Sequence, residues 1–171
     1  MKSKTICPEE QCTGCATCMN KCPKQCITMQ EGTLGHLFPQ IDATQCIHCD
    51  LCVKVCPANH PIIGTYPLKV YAGRIKNIDE YKSSTSGGIA TALSQYVIEQ
   101  GGIVYGAACM EEIDIRHIRI EKKEDLQLLK GSKYVQSSIH NTYKDVLIDL
   151  KNNLFCLLYT SPSPRDTERS R

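Results

Sequence analysis

Cys12-x2-Cys15-x2-Cys18-x3-Cys22-Pro23, repeated 34 residues later as Cys46-x2-Cys49-x2-Cys52-x3-Cys56-Pro57, decides how this chain is read. Twelve cysteines occur in 171 residues, and ten of them fall in the first 56. The N-terminus Met1-Lys2-Ser3-Lys4-Thr5-Ile6-Cys7 has no apolar signal-peptide core, so a cytoplasmic location is expected. A reducing cytoplasm keeps thiols free for metal or redox chemistry rather than disulfides. Three thiolates two residues apart lie on a tight loop that can wrap three iron corners of a cubane. The fourth cysteine, three residues on, points away from that loop. Pro23 and Pro57 fix φ, lack an N–H and push the preceding cysteine out of helical geometry.

The doubled run resembles that of bacterial two-cluster ferredoxins, in which the fourth cysteine serves the other cluster. It implies one [4Fe–4S] cluster on Cys12, Cys15, Cys18 and Cys56, and another on Cys46, Cys49, Cys52 and Cys22. Structural zinc is the alternative, but zinc takes four ligands in two pairs. It leaves the third cysteine of each triplet and both CysPro pairs unexplained. Cys7 and Cys26 fall outside the pattern and read as packing residues, with a surface thiol as the alternative. Between the motifs, Cys26–Gln30 and Leu37–Ile41 flank a glycine-bearing loop and predict a hairpin. Ile6, Ile27, Met29, Ile47, Val53, Val55 and Ile62 supply apolar surface around the clusters. These pieces are short, so cluster binding is expected to provide most of the folding energy.

Composition narrows the classes further. The chain is 42% hydrophobic and 22% charged, with a formal charge of +2. That balance excludes a strongly basic nucleic-acid binder. No apolar run approaches the length of a membrane span.

The expected architecture is α+β: a dicluster ferredoxin-like domain at 1–62, a linker at 63–82, and the start of an α/β domain at 83–155. The linker has no sustained period and one short expected strand at Lys69–Ala72. A helix is predicted over Gly87–Gln100, with Ser86 as N-cap and Ile89, Leu93, Tyr96 and Val97 on its buried face. Gly101-Gly102 ends it. Ile103–Met110 predicts a buried strand. Ile113–Ile120 predicts another, whose shifted apolar phase implies a bulge or burial on both faces. Leu126, Leu128 and Leu129 suggest a short helix. A longer helix is expected from Ser138, with Ile139, Tyr143, Val146, Leu147 and Leu150 as its buried stripe, then a strand from Leu154. The four histidines His36, His48, His60 and His117 show no ligand spacing and receive no role.

Cys156 through Asp166 have a different character. These eleven consecutive residues resemble a reading frame of the transposase adapter used in short-read library preparation. Residues 156–171 are therefore expected to be a non-native tail on a truncated chain, with Phe155 the last native residue. Such segments are set aside in reading the fold.

Three segments make a wider resemblance specific: Ser83-Ser84-Thr85-Ser86-Gly87-Gly88-Ile89, Gly101-Gly102-Ile103-Val104-Tyr105-Gly106-Ala107 and Gly131-Ser132-Lys133-Tyr134-Val135-Gln136-Ser137. They follow Gly35-His36-Leu37-Phe38-Pro39-Gln40-Ile41-Asp42 between the cysteine motifs. In this order they resemble the beta-subunit family of coenzyme F-420 hydrogenases and dehydrogenases, in its bacterial form with an N-terminal dicluster domain. The resemblance implies an iron–sulfur flavoprotein oxidoreductase that passes electrons between two [4Fe–4S] clusters, FAD and a redox partner protein or larger complex. Coenzyme F-420, a deazaflavin, is the candidate substrate. Family members continue into a GlyThrProCys-type segment absent here.

Ser86, Gly87 and Gly88 at a helix start would present backbone N–H groups to a flavin diphosphate; an ordinary capped helix is the alternative. Lys133 would contact phosphate or the isoalloxazine, or else be a solvated lysine. No catalytic residue is assigned, and the fragment as given is expected to catalyse nothing. The competing class is a ferredoxin-type carrier subunit without its own catalysis, distinguished by the absence of bound flavin.

Overall fold

Ile27–Glu31 (β1) and Leu37–Ile41 (β2) pair antiparallel, from Ile27 opposite Ile41 to Glu31 opposite Leu37. This is the hairpin expected between the two cysteine motifs. Gly35, at φ +77°, makes the turn that closes it. The computed structural model describes residues 5–61, 64–85, 87–111 and 114–159 and divides the chain into two units, Met1–Tyr66 and Pro67–Arg171. Both helices and sheets are present, in the α+β class that the sequence predicts.

In the first unit each motif ends in a short helix, Thr17–Lys21 (α1) and Leu51–Lys54 (α2). The core between them is built largely of sulfur. Cys18, Cys22, Cys26, Cys52 and Cys56 are buried together with only Ile6 and Ile27. Met19, Ile41 and Val53 pack partly against them. Ile47, inside the second triplet, is 56% exposed yet lines the same cavity as Cys46, Cys49 and Cys52, so it does give apolar surface there. Ile62 falls outside the described residues. The Asn59 amide donates to the carbonyls of Ile6 and Val53 over 2.9 and 3.1 Å, which ties the N-terminal segment to the second motif.

The second unit departs from expectation at its start. No strand forms at residues 69–72; a helix forms instead at Ile78–Ser83 (α3). Asn77 explains it, because its side chain accepts from the N–H groups of Asp79 and Glu80 at 2.9 and 3.0 Å. An asparagine cap followed by two acidic residues suits a helix N-terminus. The next helix, Ile89–Glu99 (α4), has Gly88 at its N-cap in left-handed geometry, φ 70°. The expected cap, Ser86, lies outside the described residues. Ser94 and Val97 are buried on α4, whereas Ile89, Leu93 and Tyr96 are exposed. The inward face is set partly by polar contact, since the Ser94 hydroxyl donates to the Tyr159 hydroxyl over 3.2 Å.

Ile103–Cys109 (β3) is the central strand, flanked by antiparallel Ile115–Ile120 (β4) and parallel Cys156–Leu158 (β5). The pairing from Cys109 opposite Ile115 to Val104 opposite Ile120 is unbroken, so β4 has no bulge there. Burial on both faces accounts for its shifted apolar phase, since His117 is buried on one face and Ile120 on the other. The Leu126 region forms a 3₁₀ helix over Lys123–Leu129, with Leu126 buried against Val97, Val104 and Ile120.

Ser138 does not begin a helix. It bridges to β4, with the His117 N–H donating to its carbonyl over 2.9 Å. The helix runs from Thr142 to Lys151 (α5), and it buries Thr142 and Asp149 while Leu147 and Leu150 stay exposed. A polar anchor on Asp149 docks α5, which an apolar count cannot anticipate. The last strand starts at Cys156 rather than Leu154. All three of its residues belong to the stretch read as adapter. The pairing needs backbone atoms and apolar side chains, which Cys-Leu-Leu supplies whatever its origin. Residues 160–171, the rest of that stretch, lie outside the described residues.

Candidate metal centre

The two cysteine triplets share one backbone design. Gly14 and Ala16 have φ of 64° and 56°; His48 and Asp50, each 34 positions later, have 53° and 60°. The residues just before and just after the middle cysteine are thus left-handed in both loops. Alternating left-handed residues coil a chain tightly and make the N–H-lined concavities that suit anionic groups. Three of these four residues are not glycine, so the conformation is costly and has to be held by its surroundings.

Beyond each triplet a short helix carries the chain to the fourth cysteine. Cys22 leaves α1 in extended geometry, φ −66° and ψ 116°, as a residue before proline must. The outcome is a crossing. Cys12, Cys15 and Cys18 line one cavity together with Cys56 and Pro57. Cys46, Cys49 and Cys52 line a second together with Cys22 and Pro23. These spaces measure about 350 and 330 Å³, their open mouths included.

The donor set fits cubane clusters. Among the described residues no three His, Cys, Asp or Glu side chains converge closely enough to hold one metal ion. A tetrahedral zinc needs four ligands drawn onto one point, with Zn–S near 2.3 Å. Here the sulfurs stand around a cavity, as they must when each holds a separate iron corner. Burial pushes the Cys18 thiol up to about 12, so loading with metal has to displace its proton. At Cys22 burial acts in the same direction, but N–H groups of Cys26, Lys24 and Gln25 and the Cys26 thiol bring it below the ordinary value.

Two residues given no role by their spacing belong to this site. His36 Nε2 lies 2.8 Å from the Cys12 carbonyl oxygen, which ties the hairpin loop to the first triplet. The His36 ring meets Phe38 edge-on at 4.8 Å. Cys26, read as packing, has its Sγ 3.4 Å from that of Cys22. Only a fold-level contact across the hairpin finds His36; no sequence period signals it.

In the second unit Gly87 and Gly88 pack against the segment before α3. The Gly87 carbonyl accepts from the Ile75 N–H at 2.8 Å, and a Cβ on Gly87 would stand 2.6 Å from the Gly73 carbonyl oxygen. Lys133 folds back on the 3₁₀ helix. Its ammonium donates to the carbonyls of Lys130 and Leu129 at 2.7 and 3.0 Å. Burial lowers its pKa, opposed by the charge of Cys109.

Two cavities, each lined by one cysteine triplet and the other motif's fourth cysteine, suit an iron–sulfur dicluster protein, and residues 11–60 match the family of 4Fe-4S dicluster domains. Residues 70–144 match the family described as coenzyme F420 hydrogenase/dehydrogenase, beta subunit N-term. The chain belongs to this hydrogenase and dehydrogenase beta-subunit family, in the form carrying a dicluster domain. It is also similar to an uncharacterized protein in the rpl9-rpl11 intergenic region of Porphyra purpurea. The identity is 41% over 56 residues, which cover 32% of this chain and 75% of that relative. No helix among the described residues is long and apolar enough to cross a membrane.

Proposed function

We propose that this chain is an iron–sulfur flavoprotein oxidoreductase subunit, relaying electrons between two [4Fe–4S] clusters and FAD. A deazaflavin coenzyme such as F-420, or a redox partner protein within a larger complex, is the donor or acceptor. Iron–sulfur electron transfer is the established part, from the two family matches. The observation that carries the reading is the crossing of Cys22 and Cys56 into each other's cavities. Cys12, Cys15, Cys18 and Cys56 would hold one cluster; Cys46, Cys49, Cys52 and Cys22 would hold the other. Bound clusters supply one-electron steps, and a flavin joins these to hydride transfer. The protein's own part is to carry six sulfurs on the two left-handed loops and to bury the crossing Cys22 and Cys56 after them. A cytoplasmic location is proposed with it.

Flavin binding is assigned to Ser86, Gly87, Gly88 and Lys133. A helix start at Ile89 supports it. One observation favours the carrier reading instead: the close approach of Gly73 accounts for Gly87, and capping carbonyls account for the Lys133 ammonium. Residues 156–171 are proposed to be non-native.

The test is anaerobic reconstitution of the protein from its native locus, with iron, acid-labile sulfide and flavin measured per chain. Two clusters with bound FAD support the relay. Two clusters without flavin leave the carrier reading. Fewer than two clusters sink both.

A further inference from the structure

The two triplet loops share a backbone but not their surroundings. Gly14 and Ala16 of the first are buried, while their counterparts His48 and Asp50 in the second are exposed. Cys15 is half-buried and its counterpart Cys49 is exposed. Water therefore reaches the second loop far more than the first. A [4Fe–4S] cluster on four thiolates carries a charge of about −2 when oxidised and gains one more negative charge on reduction. Water stabilises that added charge at an open loop. At a shielded loop, hydrogen-bond donors around the ligands have to do so.

His36 is such a donor at the first loop. A carbonyl oxygen only accepts, so the 2.8 Å contact with Cys12 makes Nε2 the protonated nitrogen. Its N–H is aimed at the backbone of a ligand residue and offsets the negative end of that carbonyl. The hairpin fixes the ring there. The Gly32 N–H donates to the His36 carbonyl at 2.8 Å, and the Gly35 N–H to the Gly32 carbonyl at 3.1 Å, so the turn before β2 is closed on itself. The Phe38 ring lies over Gly32, where a Cβ would stand 2.9 Å from it. The His36 ring rests edge-on against Phe38 in turn.

We propose that His36 is a positioning residue for the first cluster. By holding the Cys12 carbonyl it keeps the shielded loop in its ligating form and raises the reduction potential of that cluster, while the second cluster is served by water. This rests on the ligand assignment above.

The experiment compares wild type, His36→Phe and His36→Gln as the full chain after anaerobic reconstitution. Phenylalanine keeps a ring against Phe38 and loses the donor, whereas glutamine keeps an N–H donor of similar reach. Iron per chain is measured, and the two reduction potentials are read by electron paramagnetic resonance in a redox titration at one fixed pH. Two clusters' worth of iron in wild type upholds the ligand assignment, and less overturns that assignment itself. Given that, His36→Phe is expected to lower one of the two potentials by a tenfold change in its reduction equilibrium, about 59 mV for one electron. His36→Gln is expected to restore most of that shift. Unchanged potentials, an equal shift in both, or glutamine behaving as phenylalanine overturns the proposal. Should His36→Phe fail to retain two clusters, iron content decides. Full content in His36→Gln upholds positioning by the N–H, and an equal loss in both variants overturns it.

Discussion

The Tyr105 hydroxyl on β3 donates to Asp149 Oδ2 on α5 over 2.5 Å, and the same oxygen receives the Nε–H of Arg119 on β4 over 2.8 Å. One carboxylate thus fastens a helix to two strands. Tyr105 is 1% exposed and Asp149 7%, so neither finds water if the contact is broken. Hydrogen bonding to Arg119 and Tyr105 holds the Asp149 carboxyl below the usual carboxylate range against the opposing effect of burial. Burial and the neighbouring carboxylate raise the Tyr105 phenol, which stays protonated as the donor. Asp149→Ala leaves a buried hydroxyl and a partly buried guanidinium unpaired. Breaking such a pair costs about 3 kcal/mol when it is fully buried; with Arg119 at 35% exposure, about 2 kcal/mol is expected. Thermal unfolding of the second unit should fall by roughly 8 °C. Asp149→Asn, which keeps an acceptor, should recover part of this.

Acid should weaken the second unit in two stages. His117 is neutral and buried: Nδ1 meets the Ser137 hydroxyl at 2.6 Å and Nε2 faces the Tyr159 carbonyl at 2.9 Å. Desolvation lowers its pKa. The unfolded chain therefore takes a proton first, near pH 6.5, and stability declines as pH drops below that value. The depressed carboxyl of Asp149 adds a second decline once pH falls below about 4, where unfolded aspartate protonates. Hydrogen exchange of β3 amides against pH reads both stages. His117→Gln should remove the upper stage and keep the lower. An unchanged upper stage would show that another group titrates there.

What the sequence shows of this molecule follows from what is local. The cysteine spacing names the cysteines that line both cavities, crossing ones included, because those intervals are short-range. Hairpin, β3 and the end of α4 at Gly101 are likewise carried by nearby residues. The misses are tertiary. Of the expected α4 face, Val97 is buried but Ile89, Leu93 and Tyr96 face outward, because the polar Ser94 sets the inward side together with Val97. Asp149, a charge on a helix, looks like solvated surface until Arg119 and Tyr105 are seen opposite. His36 is a loop residue with no signal until the hairpin brings it to the Cys12 carbonyl.

Two glycines near α4 should respond differently to alanine. At Gly87 the new Cβ would stand 2.6 Å from the Gly73 carbonyl oxygen and 3.4 Å from Arg74 Cα, so backbone has to move. A destabilisation of about 1–3 kcal/mol is expected from such overpacking. At Gly101 there is nothing within 4 Å, and only the left-handed φ of 73° opposes a side chain. That substitution should cost about 1 kcal/mol. Denaturant midpoints of the two variants check the order. Equal losses would mean that the 73–75 segment yields freely.

Removing iron should unfold the first unit and spare the second. In residues 5–61 the buried side chains are five cysteines with Ile6, Ala16 and Ile27. The β1–β2 hairpin is a pair of five-residue strands, too little to stand alone in water. Left-handed Ala16, His48 and Asp50 add strain that only bound clusters repay. The second unit has its own apolar cluster of Val97, Val104, Ile120 and Leu126, along with the Asp149 anchor. After anaerobic treatment with a strong iron chelator, the amides of β1 and β2 should exchange at rates near those of an unfolded chain. Those of β3 should keep their protection within about tenfold. Retained protection at Ile27 and Ile41 in the iron-free protein would show that the sulfur core folds without its clusters, and that the left-handed loops are held by the polypeptide alone.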